Sequence, residues 1–168
     1  SVAQENLQAR IRGTILMTYS NRFDALLLNT SNKSELFVGY GTLYGDLCGA
    51  MMVIADLYKL QVYEMANYIN SSFGNVIPAS TIQKIPSAEL RPGQKDIDSL
   101  PPYDLLDPII YSLNEETKSA EEVIAEGADR AIVERIISLN RTYSFKMAQI
   151  PPVITVTDKP VVPEYKCI

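Results

Sequence analysis

Two dense polar segments constrain this chain more than any other feature of its sequence. The first, NTSNKSELFVGYGTLYGD, runs from Asn29 to Asp46, and the second, KIPSAELRPGQKDIDSLPPYDLLD, runs from Lys84 to Asp107. Each concentrates hydroxyls, charged side chains and glycine or proline in a short stretch. Because buried polar groups cost free energy unless they are paired, a hydrophobic core has no use for such a mixture. The two segments therefore predict a pocket for a charged ligand with several functional groups.

The bulk composition favours one globular domain and excludes several classes of protein. The chain has 168 residues, of which 46% are hydrophobic and 21% charged, as in a domain with a substantial core. A net charge of −5 argues against a nucleic-acid binder, and no apolar run approaches the roughly 20 residues of a membrane helix. The first ten residues lack the pattern of a secretory signal. Cys48 and Cys167 are too few for a disulfide framework, so we expect a cytoplasmic protein.

The absence of histidine limits the possible chemistry. It removes Ser-His-Asp and Cys-His catalysis as well as histidine-based zinc sites. Any metal must then be a hard ion held by oxygen ligands, which indicates magnesium rather than zinc. General base catalysis, if any, falls to Asp, Glu, Lys or Tyr.

Hydrophobic spacing predicts alternating helices and buried strands in the first half of the chain. Leu7, Ile11 and Ile15 share one face of a helix over 4–20. Asn32 and Glu35 have capping-box spacing, and so do Ser119 and Glu122. The predicted elements are strands of a parallel sheet at 25–29 and 51–55, helices at 32–38, 60–70, 104–114, 120–126 and 130–140 (the last capped by Asp129), an irregular loop at 75–102 and an extended tail from Pro151.

The sequence of strand, polar turn and helix N-terminus is one in which α/β folds bind nucleotides. Thr30 stands at the predicted strand end, where it could contact a nucleotide, and Glu35 in the next helix could ligate magnesium. The alternative for Glu35 is a purely structural cap. Lys59 could reach a phosphate or could be a solvated surface group. The glycines at 39, 41, 45 and 49 could line a ligand or form an ordinary turn, and they spell neither a dinucleotide fingerprint nor a P-loop.

Two other segments keep a functional and a structural interpretation. The proline-punctuated loop could close over a ligand as a lid or could be an exposed, charged linker. Residues 119–146 combine two helices, a glycine turn and four basic side chains, as a helix-turn-helix does. Interleaved glutamates and an apolar face at Ile132, Ile136 and Ile137 favour a helical hairpin that caps the sheet.

Taken together, these strings resemble the C-terminal part of NAD synthetase nearly from end to end. The matching strings, in order, are ENLQARIRG, NTSNKSE, GYGTLYGD, KLQVYEMA, KIPSAELRPGQKD, LPPYDLLD and the K-x-x-Q-x-P-P stretch from Lys146 to Pro152. LPPYDLLD and the long proline loop are closest to the glutamine-dependent branch. One string would be weak evidence, but the ordered set is specific.

The resemblance implies an α/β fold, with the parallel sheet of the adenine-nucleotide hydrolase-like (N-type ATP pyrophosphatase) class followed by helices. Residues 1–168 would be the C-terminal part of that domain, with an α/β core at 1–74, the proline-rich loop at 75–102, a helical part at 103–150 and the tail at 151–168. It also implies a reaction. ATP adenylates the carboxylate of deamido-NAD and releases pyrophosphate, and ammonia then displaces AMP to give NAD, with Mg²⁺ neutralising phosphate charge. The ammonia would come from glutamine through a glutaminase domain outside this chain, and the enzyme would be a homodimer with the first helix at the contact.

The resemblance also carries binding roles to particular positions, while the catalytic residues stay unknown. Glu35 would be at the metal or at the deamido-NAD end of the site. Thr30, Lys59 and Ser87 would bind ATP. Deamido-NAD would contact Asn6, Arg10, Tyr40, Gly41, Thr42, Leu43 and Lys146.

This sequence departs from the family pattern in ways that limit the expected activity. The ATP loop SGGxDS is absent, Leu43 and Ala50 stand where some members carry Lys and Asp, and Met147 and Ala148 replace a basic pair. We therefore expect residues 1–168 alone to be inactive, which a pyrophosphate-release assay with deamido-NAD and ammonia would test. The alternative function is a non-catalytic dinucleotide-binding or dimerisation module. A DNA-binding hairpin would instead show salt-dependent duplex binding in a gel shift.

Overall fold

The computed structural model describes residues 1–161, so Cys167 and Ile168 lie outside the described residues. Helices and two short strands follow one another along the chain. In order they are α1 (Val2–Phe23), β1 (Leu28–Asn29), α2 (Lys33–Phe37), β2 (Met51–Met52), α3 (Lys59–Phe73), α4 (Ala79–Gln83), a 3₁₀ turn (Asp96–Asp98), α5 (Tyr103–Asn114), α6 (Ala120–Ala125), α7 (Arg130–Tyr143) and a second 3₁₀ turn (Ser144–Gln149).

The two strands form the predicted parallel pair, in which Leu28 lies opposite Met51. The tail continues the sheet, because Val153 bridges Met52 in the parallel sense. Both strands are shorter than predicted. The Asn29 side chain accounts for the end of β1, since its amide donates to the Asp46 and Cys48 carbonyls and its oxygen accepts the Ser31 N–H.

The N-terminus of α2 is closed by the predicted capping box. Asn32 Oδ1 accepts the Glu35 N–H at 3.0 Å, and Glu35 Oε2 accepts the Asn32 N–H at 3.1 Å. The predicted capping box of Asn32 and Glu35 is therefore confirmed. The cap fixes the direction in which the chain leaves β1. The turn between β1 and α2 lies at the candidate site described below.

Two hydrophobic cores divide the molecule. The smaller one lies at the sheet and includes Leu36, Met52 and Ile150. The larger one lies among α5, α6 and α7 and contains Leu106, Ile110, Val123, Val133 and Ile136. The α6–α7 hairpin therefore packs on α5, and the prediction that it caps the sheet is wrong.

Helix α1 exposes the apolar stripe that its sequence shows. Leu7, Ile11 and Ile15 are 58%, 52% and 51% exposed, whereas Ala9 and Gly13 are buried. The reason is close backbone packing, because a Cβ at Gly13 would lie only 2.8 Å from the Gly45 carbonyl oxygen. Among residues 1–161, helices of membrane-spanning length and hydropathy do not occur.

The proline-rich segment contains regular structure that was not predicted. Helix α4 begins immediately after Pro78, a residue whose fixed φ suits a helix start. The 3₁₀ turn is closed by Asp98 Oδ2, which accepts the Lys95 N–H at 3.0 Å. The prediction of an irregular loop over the whole of 75–102 is therefore wrong in these two stretches.

A completely buried lysine connects the sheet, the helices and the tail. Lys33 Nζ lies 3.1 Å from Asp56 Oδ1 and also pairs with Glu115. It donates to Thr157 Oγ1 at 3.0 Å and to the Lys159 carbonyl at 2.9 Å. Asp56 in turn accepts the backbone N–H of Thr157 at 2.7 Å. This arrangement, called the Lys33 cluster below, holds the tail to the body of the protein.

Removing the lysine should destabilise the fold strongly. In Lys33→Met the Asp56 carboxylate loses its buried cation, and breaking such a pair costs about 3–5 kcal/mol of unfolding free energy. Urea unfolding followed by circular dichroism measures the change. Lys118→Met is the matched control, because Lys118 pairs with Glu116 and Glu126 at the surface and should alter stability little. Equal effects of the two substitutions would contradict the role assigned to Lys33.

The same cluster should make stability depend on acid pH. Burial alone would raise the pKa of Asp56, but the Val156 and Thr157 N–H groups and Lys33 outweigh it and hold the pKa below its ordinary value of 3.8. The stabilisation is thus fully present above that value and is lost as pH falls through the lower pKa of the folded state. Unfolding free energies of wild type and Asp56→Asn, measured between pH 7 and pH 2, should therefore converge in acid. Parallel curves would exclude the effect.

Candidate functional site

A cavity of about 590 Å³ opens where β1 ends, and it is called the central cavity here. Its walls come from α1, the turn after β1, the glycine-rich loop at 39–46, the proline-rich segment and α7. Residues just beyond the carboxyl end of a parallel strand are the usual ligand contacts of open α/β sheets. Six of the predicted site residues line it: Asn6, Thr30, Tyr40, Gly41, Thr42 and Lys146.

Hydrogen bonds tie the glycine-rich loop to α1. Thr42 Oγ1 donates to Asn6 Oδ1 at 2.8 Å, and the Thr42 N–H donates to Asp46 Oδ1 at 2.9 Å. Arg10 Nε donates to the Leu43 carbonyl at 3.2 Å. Arg10 and Leu43 do not line the central cavity, and their contact lies beside it. The predicted polar face of α1 is therefore a support for the loop as well as a wall of the cavity.

Lys146 binds the glycine-rich loop through its backbone carbonyls. Its Nζ donates to the carbonyls of Gly39 and Gly41, both at 2.7 Å, and lies 4.5 Å from the centre of the Tyr143 ring. Burial lowers the pKa of the ammonium group, and the Asp46 carboxylate opposes that effect. The lysine therefore brings a partly desolvated positive charge to the cavity wall, where it strengthens attraction for an anion.

Glu35 and Lys59 form a pair next to the cavity, outside its lining. Lys59 Nζ lies 3.6 Å from Glu35 Oε1, and the two side chains are only 19% and 17% exposed. The interpretation of Lys59 as a solvated surface group is therefore wrong. Burial raises the pKa of Glu35, while Lys59 and the Asn32 N–H partly lower it. Burial therefore disfavours the ionised form of Glu35, and a further cation nearby would favour that form.

The donor set for a metal is small. Within residues 1–161, clusters of three or more Asp, Glu, Cys or His side chains that could hold a metal are absent. Glu35 fits a Mg²⁺ ion only as a single carboxylate ligand. Mg²⁺ commonly takes one or two carboxylates together with phosphate oxygens and water, so the remaining ligands would have to come from a nucleotide and from other groups.

Ser87 lies apart from the other predicted nucleotide ligands. It lines a second, more open cavity of about 610 Å³, the loop cavity, together with Lys84, Leu90, Arg91 and Gln94. Its Oγ accepts the Glu89 N–H at 3.1 Å. Thr30 lines the central cavity and Lys59 lines neither cavity. The three predicted ATP ligands, Thr30, Lys59 and Ser87, therefore do not share one pocket.

Several residues of the central cavity were not predicted as site residues. Arg12 on α1 and Arg135 on α7 both line it, and each also donates to a backbone carbonyl of the proline-rich segment. Asp46 lines the cavity from the loop. Their charges are visible in the sequence, but which charged side chains face a cavity depends on the packing of distant elements.

Comparisons with known proteins agree with the arrangement of these elements. A family model described as NAD synthase matches residues 1–150. A glutamine-dependent NAD(+) synthetase of Synechocystis is 50% identical over 158 residues, which are 94% of this chain and 28% of that protein. One from Acinetobacter baylyi is 53% identical over 147 residues, 87% of this chain and 27% of that protein. The chain thus spans about 28% of the length of these curated relatives.

Solved structures give the same result for the fold. The NMN synthetase of Francisella tularensis superimposes with a TM-score of 0.70 at 27% identity, over 86% of this chain and 53% of that one. The predicted α/β fold class is therefore confirmed, and the small parallel sheet at β1 and β2 is its visible part here.

The cavity loop should not tolerate a side chain at Gly39. This residue has φ +66°, and a Cβ there would lie 2.1 Å from Tyr143 Cβ. Gly93 is a matched control, because it has φ +69° with open space around it. Gly93→Ala should cost about 1–2 kcal/mol for the left-handed backbone alone, and Gly39→Ala about 1–3 kcal/mol more for the clash. Chemical denaturation of both variants measures the difference, and equal losses would show that the Tyr143 contact is unimportant.

Proposed function

Because the chain belongs to the NAD synthase family, we propose that the protein carrying it amidates deamido-NAD to NAD at the expense of ATP. In this reaction the nicotinate carboxylate attacks the α-phosphate of ATP and pyrophosphate leaves. Ammonia then adds at the adenylated carbonyl, and AMP departs as the amide forms. The protein is accordingly proposed to be a carbon–nitrogen ligase that acts in the cytoplasm.

One observation carries the proposal. Six residues that the resemblance connects with ATP or deamido-NAD converge on one cavity at the end of a parallel strand, although they lie as far apart in sequence as Asn6 and Lys146. The reaction requires positioning and stabilisation of charge rather than a histidine base. Lys146, Arg12 and Arg135 place positive charge around that cavity, which suits a ligand containing a pyrophosphate group.

The family resemblance supplies the proposed roles of individual residues. Asn6, Tyr40, Gly41, Thr42 and Lys146 would contact the dinucleotide inside the central cavity, and Arg10 and Leu43 would support that wall. Thr30 would bind ATP at the strand end, with Lys59 and Ser87 approaching its phosphates from the neighbouring surfaces. Glu35 would supply one carboxylate oxygen to Mg²⁺, whose charge would assist departure of pyrophosphate.

Further partners are proposed on the same basis. The curated relatives are described as glutamine-dependent and are several times longer than this chain, which supports ammonia delivery from a glutaminase domain outside residues 1–168. The exposed stripe of Leu7, Ile11 and Ile15 on α1 supports a homodimer contact there. Without an SGGxDS loop in residues 1–168, the isolated chain would bind ligand without turning it over.

Calorimetric titration of residues 1–168 with deamido-NAD tests the proposal. Wild type should bind, and Lys146→Met should bind about tenfold more weakly, because hydrogen bonds to a charged group contribute roughly 1.5–3 kcal/mol each. Lys118→Met, remote from the cavity, should match wild type. A parallel titration with nicotinate mononucleotide shows whether the mononucleotide half of deamido-NAD is sufficient for binding. A chain that forms dimers in sedimentation but shows no heat with deamido-NAD would support the alternative, a non-catalytic dimerisation module.

A further inference from the structure

Asp96 is a buried carboxylate at the centre of the proline-rich segment, and it is 4% exposed. Its Oδ1 accepts the Tyr40 hydroxyl at 3.1 Å, and its Oδ2 accepts the Tyr103 hydroxyl at 2.8 Å. Its backbone N–H donates to the Pro86 carbonyl at 2.9 Å. One residue therefore connects the glycine-rich loop, the start of α5 and the stretch of the proline-rich segment next to Ser87.

One of these connections reaches the lining of the central cavity. Tyr40 lines the cavity from the glycine-rich loop, while the proline-rich segment lines it through Ala88, Leu90, Gln94, Ser99 and Leu100. Each of these two stretches of the lining is called a wall below. Asp96 belongs to the proline-rich segment, lies outside the lining and accepts the Tyr40 hydroxyl, so a buried carboxylate joins the two walls.

Two further hydrogen bonds that hold the segment are at the surface. Arg12 Nη2 donates to the Glu89 carbonyl at 2.9 Å, and Arg135 Nη2 donates to the Ser99 carbonyl at 3.2 Å. Both of these bonds are solvent-exposed, so water competes for their donors and acceptors. The Tyr103 bond to Asp96 is buried and the Tyr40 bond is partly buried, and a hydrogen bond with less access to water is stronger than an exposed one.

We propose that Asp96 is a positioning residue of the central cavity, one that sets the gap between its two walls through the hydroxyls of Tyr40 and Tyr103. It does not touch the ligand. Only the identity of the ligand, deamido-NAD, rests on the proposed function. The residue acts by keeping Ala88, Leu90 and Gln94 at the distance from Tyr40 that the bound dinucleotide requires.

Limited trypsin digestion of residues 1–168 tests the anchoring without a ligand. The bond between Lys84 and Ile85 lies in the segment, and 64% of the Lys84 side chain is exposed. In Asp96→Asn one carboxylate oxygen becomes an amide nitrogen, which cannot accept a phenol hydrogen. Because cleavage follows the population of the opened segment, we expect it to be about tenfold faster. Asp104→Asn is the matched control, since Asp104 is an exposed residue in the first turn of α5, close to Asp96 in sequence, and it should be cleaved at close to the wild-type rate.

Calorimetry with deamido-NAD tests the effect on the cavity. Asp96→Asn should raise the Kd about tenfold, and Tyr40→Phe should raise it less. Tyr103 does not line the cavity. Because Tyr103→Phe and Asp96→Asn act on the same hydrogen-bonded group, the double variant should bind no more weakly than Asp96→Asn alone. Tyr103→Phe removes only one hydroxyl and serves as the second variant if Asp96→Asn does not fold. It should show faster cleavage and weaker binding in the same direction.

The outcomes separate this inference from the proposed function. If wild type binds deamido-NAD and the Asp96 and Tyr103 variants match it in cleavage rate and Kd, the positioning role is wrong. Full additivity of the Asp96 and Tyr103 changes would also overturn it, since that pattern indicates that the two residues act independently. If wild type binds no deamido-NAD, the proposed ligand is wrong, and the cleavage rates alone decide whether Asp96 anchors the segment.

Discussion

The buried ammonium group of Lys33 is the interaction on which the arrangement of the chain depends. It contacts Asp56 after β2, Glu115 at the end of α5, and Thr157 and Lys159 in the tail. A charge without solvent is tolerated only when oxygen atoms surround it, so these four segments must meet at this point. The tail is thereby joined to the sheet as its third member beside Met52.

The Lys33 cluster also governs the candidate site through the first turn of α2. Lys33 follows the cap residue Asn32, and Glu35 stands one half-turn further along, paired with Lys59 on another side of the helix. Three ion pairs, two of Lys33 and one of Glu35, thus fix one short helix, and with it the turn that carries Thr30 to the central cavity. Asp96 performs the equivalent task for the opposite wall. Positioning in this protein is achieved mainly by buried charges with several hydrogen bonds each.

Features controlled by neighbouring residues could be predicted from the sequence. Asn32, Ser119 and Asp129 cap their helices as expected, because a cap joins atoms only three residues apart. The parallel pairing of β1 with β2 and the placement of Asn6, Tyr40, Thr42 and Lys146 at one cavity also agree with expectation, since the buried strands and the ordered strings could be located in the sequence. The strand lengths and the helix after Pro78 did not follow from periodicity, because segments of two to five residues carry too little of it.

What the sequence by itself determined is the family, the fold class, the helix caps and six of the residues that line the central cavity, since local spacing and ordered motifs record these directly. Only the tertiary structure decided that α1 turns Ala9 and Gly13 inward and leaves Leu7 exposed, and that Lys33 is buried while Ser87 faces a separate cavity. Periodicity shows that a helix has two faces, but which face is buried depends on the shape of the partner. Here that partner is the glycine-rich loop, which approaches so closely that only small residues fit.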